Sequence, residues 1–374
     1  MTFAQPFKDY EILERIGAGA MGTVFKARQK RLDRIVALKV LKPSLARNTK
    51  FVERLRREAR IVASLNHPDI VAGYDLGEEG GYHFFVMEFV EGRSLAALLK
   101  EWGSFPEHQV LDVAVRVASA LDHAFQKGVI HRDVKPGNIL IDASGRAKLT
   151  DMGLAKAPED ASLTQDGATV GTPQYISPEQ ARDPSKVDVR SDLYSLGATM
   201  FHMCTGQPPF PGSTVGNVIH DVIHRRAPSP RTINPGISPG LDLVIRKLLQ
   251  KEPKARYQTP AELLADLERV RRAEPPHVDE RALERGDGRR ARLRFGPWAW
   301  AAVTAVVAAL GAAWWWWPEP TRGRDATEPQ HAFVQRVRAS VDAAGDVRGK
   351  LRALAVASAE AATDRHRRAI DELR

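Results

Sequence analysis

A chain of 374 residues that is 43% hydrophobic and 27% charged has globular composition, which excludes a wholly disordered or fibrous protein and leaves room for about two domains. Its single cysteine, Cys204, excludes a disulfide framework and a Cys-rich zinc site. The net charge of +9 is spread out: 36 basic against 32 acidic side chains in residues 1–270, eight against five in 271–296, and eleven against nine in 318–374. So diffuse an excess leaves no footprint for nucleic acid, and no nucleic-acid partner is expected.

The first patterned stretch is Ile16-Gly17-Ala18-Gly19-Ala20-Met21-Gly22-Thr23-Val24. Glycines at G-x-G-x-x-G spacing let a backbone approach phosphates without obstruction by Cβ, although ordinary glycine turns share the pattern. Two β-rich runs follow, Arg34–Leu41 (RIVALKVL) and His83–Val90 (HFFVMEFV). In the first, Ala37 and Lys39 share one face of a strand: the small residue makes room for a flat base, and the ammonium reaches toward phosphate. Between the runs, residues 51–60 favour a helix with Val52, Leu55, Ala59 and Val62 on one side. Two carboxylates on it, Glu53 and Glu58, are candidates to hold Lys39 in register.

Helical periods dominate later. Ser104-Phe105-Pro106-Glu107 has the form of a capping box ahead of the stripe Val110, Ala114, Val117, Ala118 and Leu121. Thr259-Pro260-Ala261-Glu262 repeats the device ahead of Leu263, Leu264 and Leu267, with proline at the first helical position. Between them, His131-Arg132-Asp133-Val134-Lys135-Pro136-Gly137-Asn138 joins an acid that can accept a proton, a lysine that can neutralise phosphate and an amide that can ligate a metal. Ile139-Leu140-Ile141 and then Leu149 predict a hairpin leading to Asp151-Met152-Gly153. Asp133 and Asp151 thus supply two carboxylates with different tasks, one orienting a hydroxyl and one holding Mg²⁺.

Beyond residue 268 the composition shifts to Arg, Glu, Gly and Pro, which predicts a flexible juxtamembrane linker over 269–296. Pro297–Trp317 carries no charge, and its only polar side chain is Thr304. At ~1.5 Å rise per residue its length as a helix matches the ~30 Å hydrocarbon core of a bilayer. Trp298 and Trp300 mark one end and Trp314 to Trp317 the other, where indoles rest at headgroup level. Arg281, Arg285, Arg289, Arg290, Arg292 and Arg294 precede the span, against Arg322, Arg324 and Arg336 after it, which places the N-terminal part in the cytoplasm and 318–374 outside. Nothing apolar occupies the N-terminus, so no signal peptide is expected. In the tail Val334, Val337, Val341 and Ala344 fall at helical spacing, fitting a solvated helix or a self-association contact.

On these motifs, residues 8–268 resemble a eukaryotic-like serine/threonine protein kinase of the bacterial, receptor-like, single-span type. The resemblance implies an α+β, two-lobed protein kinase fold, with a β-rich N-lobe over about 8–90 and a helical C-lobe over about 91–268, followed by the linker, one transmembrane helix and a short helical tail. It implies ATP and Mg²⁺ as cofactors and Ser/Thr phosphorylation of protein substrates by a single-pass cell-membrane protein, with a homodimer left open. By the same resemblance Ile16, Gly17, Ala18, Gly19, Ala20, Met21, Gly22, Thr23 and Val24 cover the ATP phosphates. Lys39 contacts the α- and β-phosphates and pairs with Glu58. Ala37, Met87, Glu88, Val90 and Leu140 surround the adenine. Asp133 is the catalytic base, Lys135 assists at the γ-phosphate, and Asn138 and Asp151 hold Mg²⁺.

Further assignments follow from the resemblance. Glu179 is expected to pair with Arg256, and Asp192 to brace the loop carrying Asp133. Arg132 is expected to receive a phosphate on the activation loop, at Thr164 or Thr169 ahead of Ser162, with Thr172 structural. Met152 stands where the family carries Phe, and Ser177 where it carries Ala. No group that transfer needs is missing, which disfavours a non-enzymatic scaffold. Gly171-Thr172-Pro173 disfavours a small-molecule kinase.

Overall fold

The computed structural model describes residues 7–283 except 20–21, 47–48, 50–51, 54–55, 57–58, 61–62, 153–172 and 282. All of these lie in the first of two compact units, residues 1–292. The second unit, 293–374, lies outside the described residues, and with it the expected membrane span and tail. Ala20, Met21, Glu58, Thr164, Thr169 and Thr172 lie outside them as well. Among the described residues no helix is long and apolar enough to cross a membrane.

Five antiparallel strands open the chain: β1 (Tyr10–Ala18), β2 (Gly22–Gln29), β3 (Arg34–Leu41), β4 (Gly73–Glu79) and β5 (Tyr82–Glu88), in spatial order β1-β2-β3-β5-β4. Strand β3 sits centrally and both its faces are covered. Val36, Leu38 and Val40 join Phe7, Tyr10, Ala27, Phe84 and Val86 in a small outer core, whereas Ala37 and Leu41 join the main core. The two-residue period therefore turns Lys39 toward the main body of the protein, on the same side as Ala37. Strand β5 ends at Glu88, two residues before the expected limit of Val90, and the Glu88 N–H donates to the Ala72 carbonyl at 2.8 Å.

Between β3 and β4 lie a short helix, α1 (Pro43–Ala46), and helical backbone recurring between residues 49 and 63. There Val52 and Ala59 are buried, while Glu53 and Arg56 are exposed, and Arg56 donates to Glu78 at 3.0 Å. Of the two carboxylates considered for Lys39, Glu53 is thus on the solvent side.

The rest is helical: α2 (Leu95–Trp102), α3 (Glu107–Gln126), α4 (Pro178–Arg182), α5 (Val189–Thr205), α6 (Val215–His224), α7 (Pro239–Leu248) and α8 (Pro260–Arg271). Fourteen of the 17 residues of α5 are buried, so it is a core helix packed on all sides. It meets α3 and α7; a Cβ on Gly197 would lie 2.5 Å from the Leu248 Cβ, so only glycine allows this approach of α5 to α7. The expected hairpin is present as β7 (Ile139–Asp142) and β8 (Ala147–Leu149), and β6 (Gly92–Ser94) adds a third strand.

Two local expectations need correction. Thr259 caps α8 by accepting the Glu262 N–H at 3.2 Å, as its box predicts, but Ser104 caps nothing: Pro106 is the N-cap of α3, without a side-chain bond. Glu107 instead accepts the Ser238 N–H and hydroxyl at 2.7 and 2.6 Å, drawn off by a partner 131 residues away. The linker does not begin at 269 either. Helix α8 runs to Arg271, and the chain then lies against the domain as far as Leu283, with Pro276 and Leu283 buried and Val278 against the main core. Polar anchors explain this course. The His277 N–H donates to the buried Asp266 at 2.7 Å, Arg269 donates to the Pro275 carbonyl at 2.7 Å, and Arg246 pairs with Glu280 at 3.0 Å.

Candidate active site

The glycine stretch turns between β1 and β2, where the Gly19 N–H donates to the Gly22 carbonyl at 2.8 Å. Packing demands glycine at one of the three positions. A Cβ on Gly22 would lie 2.0 Å from the Val40 carbonyl oxygen, whereas one on Gly17 would meet nothing nearer than 3.9 Å and one on Gly19 nothing within 4 Å. Among the described residues no contact crowds a Cβ at Gly17 or Gly19, which leaves room above the turn. Ile16 beside them is exposed, and Gly17 and Ala18 pair with Val24 and Thr23 across the turn.

Below the turn lies an apolar bed. Ala37 and Met87 face each other across β3 and β5, and both are buried in the core on which partly buried Val24, Val90 and Leu140 pack. Sequence reading missed what fixes the chain as it leaves β5. The Glu88 carboxylate accepts from Lys148 at 2.7 Å and from the Ala72 N–H at 3.2 Å, so Glu88 is spent on structure through its side chain.

Asp133, Lys135 and Asn138 form one hydrogen-bonded group. Lys135 donates to Asp133 Oδ2 at 2.8 Å, and Asn138 Nδ2 donates to the same oxygen at 2.9 Å and to the Asp133 carbonyl at 2.8 Å. This turns the Asn138 amide oxygen away from Asp133, as an oxygen ligand for a cation must be. Two bonds tie the group to the chain before Asp151: the Thr150 N–H donates to the Asn138 carbonyl at 3.0 Å, and His131 Nε2 donates to the Thr150 carbonyl at 3.0 Å. Across the cleft Lys39 reaches Asp151 Oδ1 at 2.7 Å. Folding thus connects positions 39, 133, 135, 138 and 151.

The loop is held by strain that surrounding bonds offset. Arg132 and Asp151 have φ of 65° and 59°, left-handed values that cost a non-glycine residue roughly 1–3 kcal/mol. Buried Asp192 accepts the His131 and Arg132 N–H groups, both at 2.7 Å, and the Asp133 N–H donates to His131 Nδ1 at 3.2 Å. Both ring nitrogens of His131 are thus engaged, Nδ1 by the Asp133 N–H and Nε2 by the Thr150 carbonyl. Burial raises the pKa of Asp192, against the pull of His131 and the two N–H donors. Gln180 was not singled out from sequence; its Nε2 donates to the Arg132 carbonyl at 2.7 Å. Glu179, its neighbour, pairs with Arg256.

A model of the protein kinase domain matches residues 10–266. The serine/threonine-protein kinase PknB of Mycobacterium leprae is 45% identical over 274 residues, covering 72% of this chain and 44% of that protein. A probable serine/threonine-protein kinase of Clostridium perfringens is 38% identical over 278 residues, covering 74% and 40%. The chain spans less than half the length of these curated relatives. Among solved structures, the PknI kinase domain of Mycobacterium tuberculosis is similar with a TM-score of 0.57 at 29% identity, covering 72% of this chain and 99% of that one.

Proposed function

We propose that this chain, which belongs to the protein kinase family in its bacterial, eukaryotic-like serine/threonine branch, transfers the γ-phosphoryl group of ATP to Ser or Thr hydroxyls of protein substrates. The observation that carries the reading is the bonded group Asp133–Lys135–Asn138, joined through Thr150 to the Asp151–Lys39 pair. Phosphoryl transfer asks for positioning and charge neutralisation more than covalent chemistry, and these are the residue types present.

The residues fit a magnesium nucleotide. The Asn138 amide oxygen and the Asp151 carboxylate are hard oxygen donors, and Mg²⁺ is usually held by one or two protein oxygens together with phosphates. When bound, Mg²⁺ supplies charge neutralisation between the phosphates. The ammonium of Lys39 binds phosphate oxygens, and the space above Gly17 and Gly19 admits the triphosphate to backbone N–H groups. Ala37, Val24, Met87, Val90 and Leu140 give the base an apolar bed. Asp133 Oδ2 takes the proton of the substrate hydroxyl, and Lys135, already bonded to that oxygen, places positive charge beside the transferring group.

The kinase domain sits on the cytoplasmic side of a membrane crossed once by 297–317, a reading supported by the 21 uncharged residues and their flanking tryptophans and arginines. Its activity is controlled by autophosphorylation at Thr164 or Thr169, which lie between Asp151 and Glu179. The test is to incubate the purified chain with γ-labelled ATP, Mg²⁺ and a Ser/Thr-containing protein acceptor, then map the label by mass spectrometry. Label on acceptor Ser or Thr and on Thr164 or Thr169 is expected; no transfer to any hydroxyl defeats the reading.

A further inference from the structure

We infer that Gln180 is a positioning residue: it locks the peptide that carries Asp133 and couples the orientation of that acid to the helix α4 at the end of the activation segment. The inference rests on the kinase reading for what Asp133 does, but its structural half stands on geometry alone.

The peptide joining Arg132 to Asp133 sets where the Asp133 side chain leaves the backbone, and it follows a residue at φ of 65°. A bulky residue stays in that region only if its surroundings over-determine it. Three N–H groups in succession are held from within the C-lobe core: those of His131 and Arg132 by Asp192, and that of Asp133 by His131 Nδ1. Those bonds fix the donor side of the peptide. Its acceptor side, the Arg132 carbonyl, takes its bond from Gln180 Nε2 at 2.7 Å, across 48 residues of sequence.

The amide of Gln180 is itself aimed. Ser177 caps α4 by accepting the Gln180 N–H at 3.3 Å, and its hydroxyl faces Gln180 Oε1 at 3.5 Å, which leaves Nε2 directed at the carbonyl. Helix α4 is anchored in turn by the next residue back, since Glu179 is gripped by Arg256. One short helix therefore looks two ways, through Glu179 to the base of the domain and through Gln180 to the loop of Asp133. Displacing α4 withdraws a bond that reaches this peptide from the end of the activation segment.

Two variants test this in the full chain. Gln180→Met keeps the volume and removes the donor; Gln180→Glu keeps the shape and presents an ionised acceptor to a carbonyl oxygen. For both, hydrogen exchange of the peptide spanning 129–138 should quicken, by about tenfold at the Asp133 amide, while Tm moves little. In transfer assays kcat should fall about tenfold, more in Gln180→Glu, with KM for ATP within twofold of the parent, because Lys39, the glycine turn and the apolar bed of the base lie outside the peptide that Gln180 locks. Unchanged exchange at 129–138 overturns the inference, whether or not the parent chain transfers phosphate. Quickened exchange with parental kcat overturns the coupling to Asp133. Absence of transfer in the parent would defeat the kinase reading, and the exchange result would still decide whether Gln180 locks the loop.

Discussion

Arg256 grips Glu179 with both terminal nitrogens, Nη1 on Oε1 and Nη2 on Oε2, each at 2.7 Å, with the guanidinium fully buried. The remaining N–H groups donate to the carbonyls of Gln250, Arg190 and Lys251 at 2.8, 2.8 and 3.0 Å, so all five donors are used. Ser191 donates to the same carboxylate at 2.6 Å. Burial works to raise the pKa of Glu179, but the Arg256 bonds outweigh it and leave the carboxyl below its ordinary value of 4.5. A depressed folded-state pKa stabilises above the unfolded value, and that contribution is lost as pH falls through the folded one. Stability from this pair should therefore hold from pH 7 to about 5 and drain away below about 4.5. Glu179→Gln strands a buried cation and should cost roughly 3–5 kcal/mol at pH 7. Urea denaturation at pH 7, 5 and 4 checks both statements: the parent should lose more stability than the variant between pH 5 and 4.

Asp133→Asn should abolish phosphoryl transfer while leaving nucleotide affinity within about threefold, because Lys39 and the apolar bed under the base are untouched. The substituted amide can still meet Lys135 or Asn138, so the loop keeps its shape, but it cannot accept a proton at neutral pH. Single-turnover transfer beside calorimetric nucleotide titration separates the two. Parental turnover in this variant would remove Asp133 from its assigned role.

The site was legible in sequence wherever its chemistry sits in a short run. His131 to Asn138 and Asp151 are close along the chain, and β3 begins and ends where its apolar run does. What escaped is what depends on distant partners. Glu107 completes a local capping pattern with Ser104, but Ser238 offers it two donors, and no local pattern announces a partner 131 residues on. Gln180 looks like any polar residue on a short helix until the fold brings the Arg132 carbonyl to it. The stretch from 272 to 283 reads as linker because its apolar residues, Pro276, Val278 and Leu283, follow no single period.

That strap gives a prediction about where the domain ends. A chain ending at Glu274 removes the His277 N–H from the buried Asp266, leaving it the Tyr257 hydroxyl at 2.8 Å, and removes buried Leu283. Lost burial of one leucine and lost donors to a buried carboxylate together amount to about 2–4 kcal/mol. Urea denaturation should find residues 1–284 more stable than 1–274 by that amount; equal midpoints would mean the strap contributes nothing.

The glycines of the β1–β2 turn should separate by substitution. Gly22→Ala drives a Cβ against a backbone carbonyl in the central strand, which cannot swing aside as a side chain could, so a loss of at least ~2 kcal/mol is expected. Gly19→Ala meets no atom within 4 Å, and stability should stay within ~0.5 kcal/mol of the parent. If phosphates occupy that space, the same change should still weaken nucleotide binding several-fold. Thermal melts with and without ATP distinguish the cases: Gly22→Ala lowers Tm in both, and Gly19→Ala lowers only the increment that ATP adds. An undiminished increment in Gly19→Ala would argue that nothing binds above the turn.

The uncharged stretch 297–317 separates an integral from a peripheral protein. A helix that spans the bilayer buries its whole apolar length, and no change of ionic strength or pH offsets that, whereas a protein held by its arginines alone is released once charge is screened or titrated. Membranes from cells expressing the full chain should therefore retain it through washes in 1 M salt and alkaline carbonate and release it only to detergent. Residues 1–284 should appear in the supernatant without either. Protease added to intact spheroplasts should trim only the 318–374 tail if the arginine bias sets the topology, and digestion of the kinase domain instead would invert it.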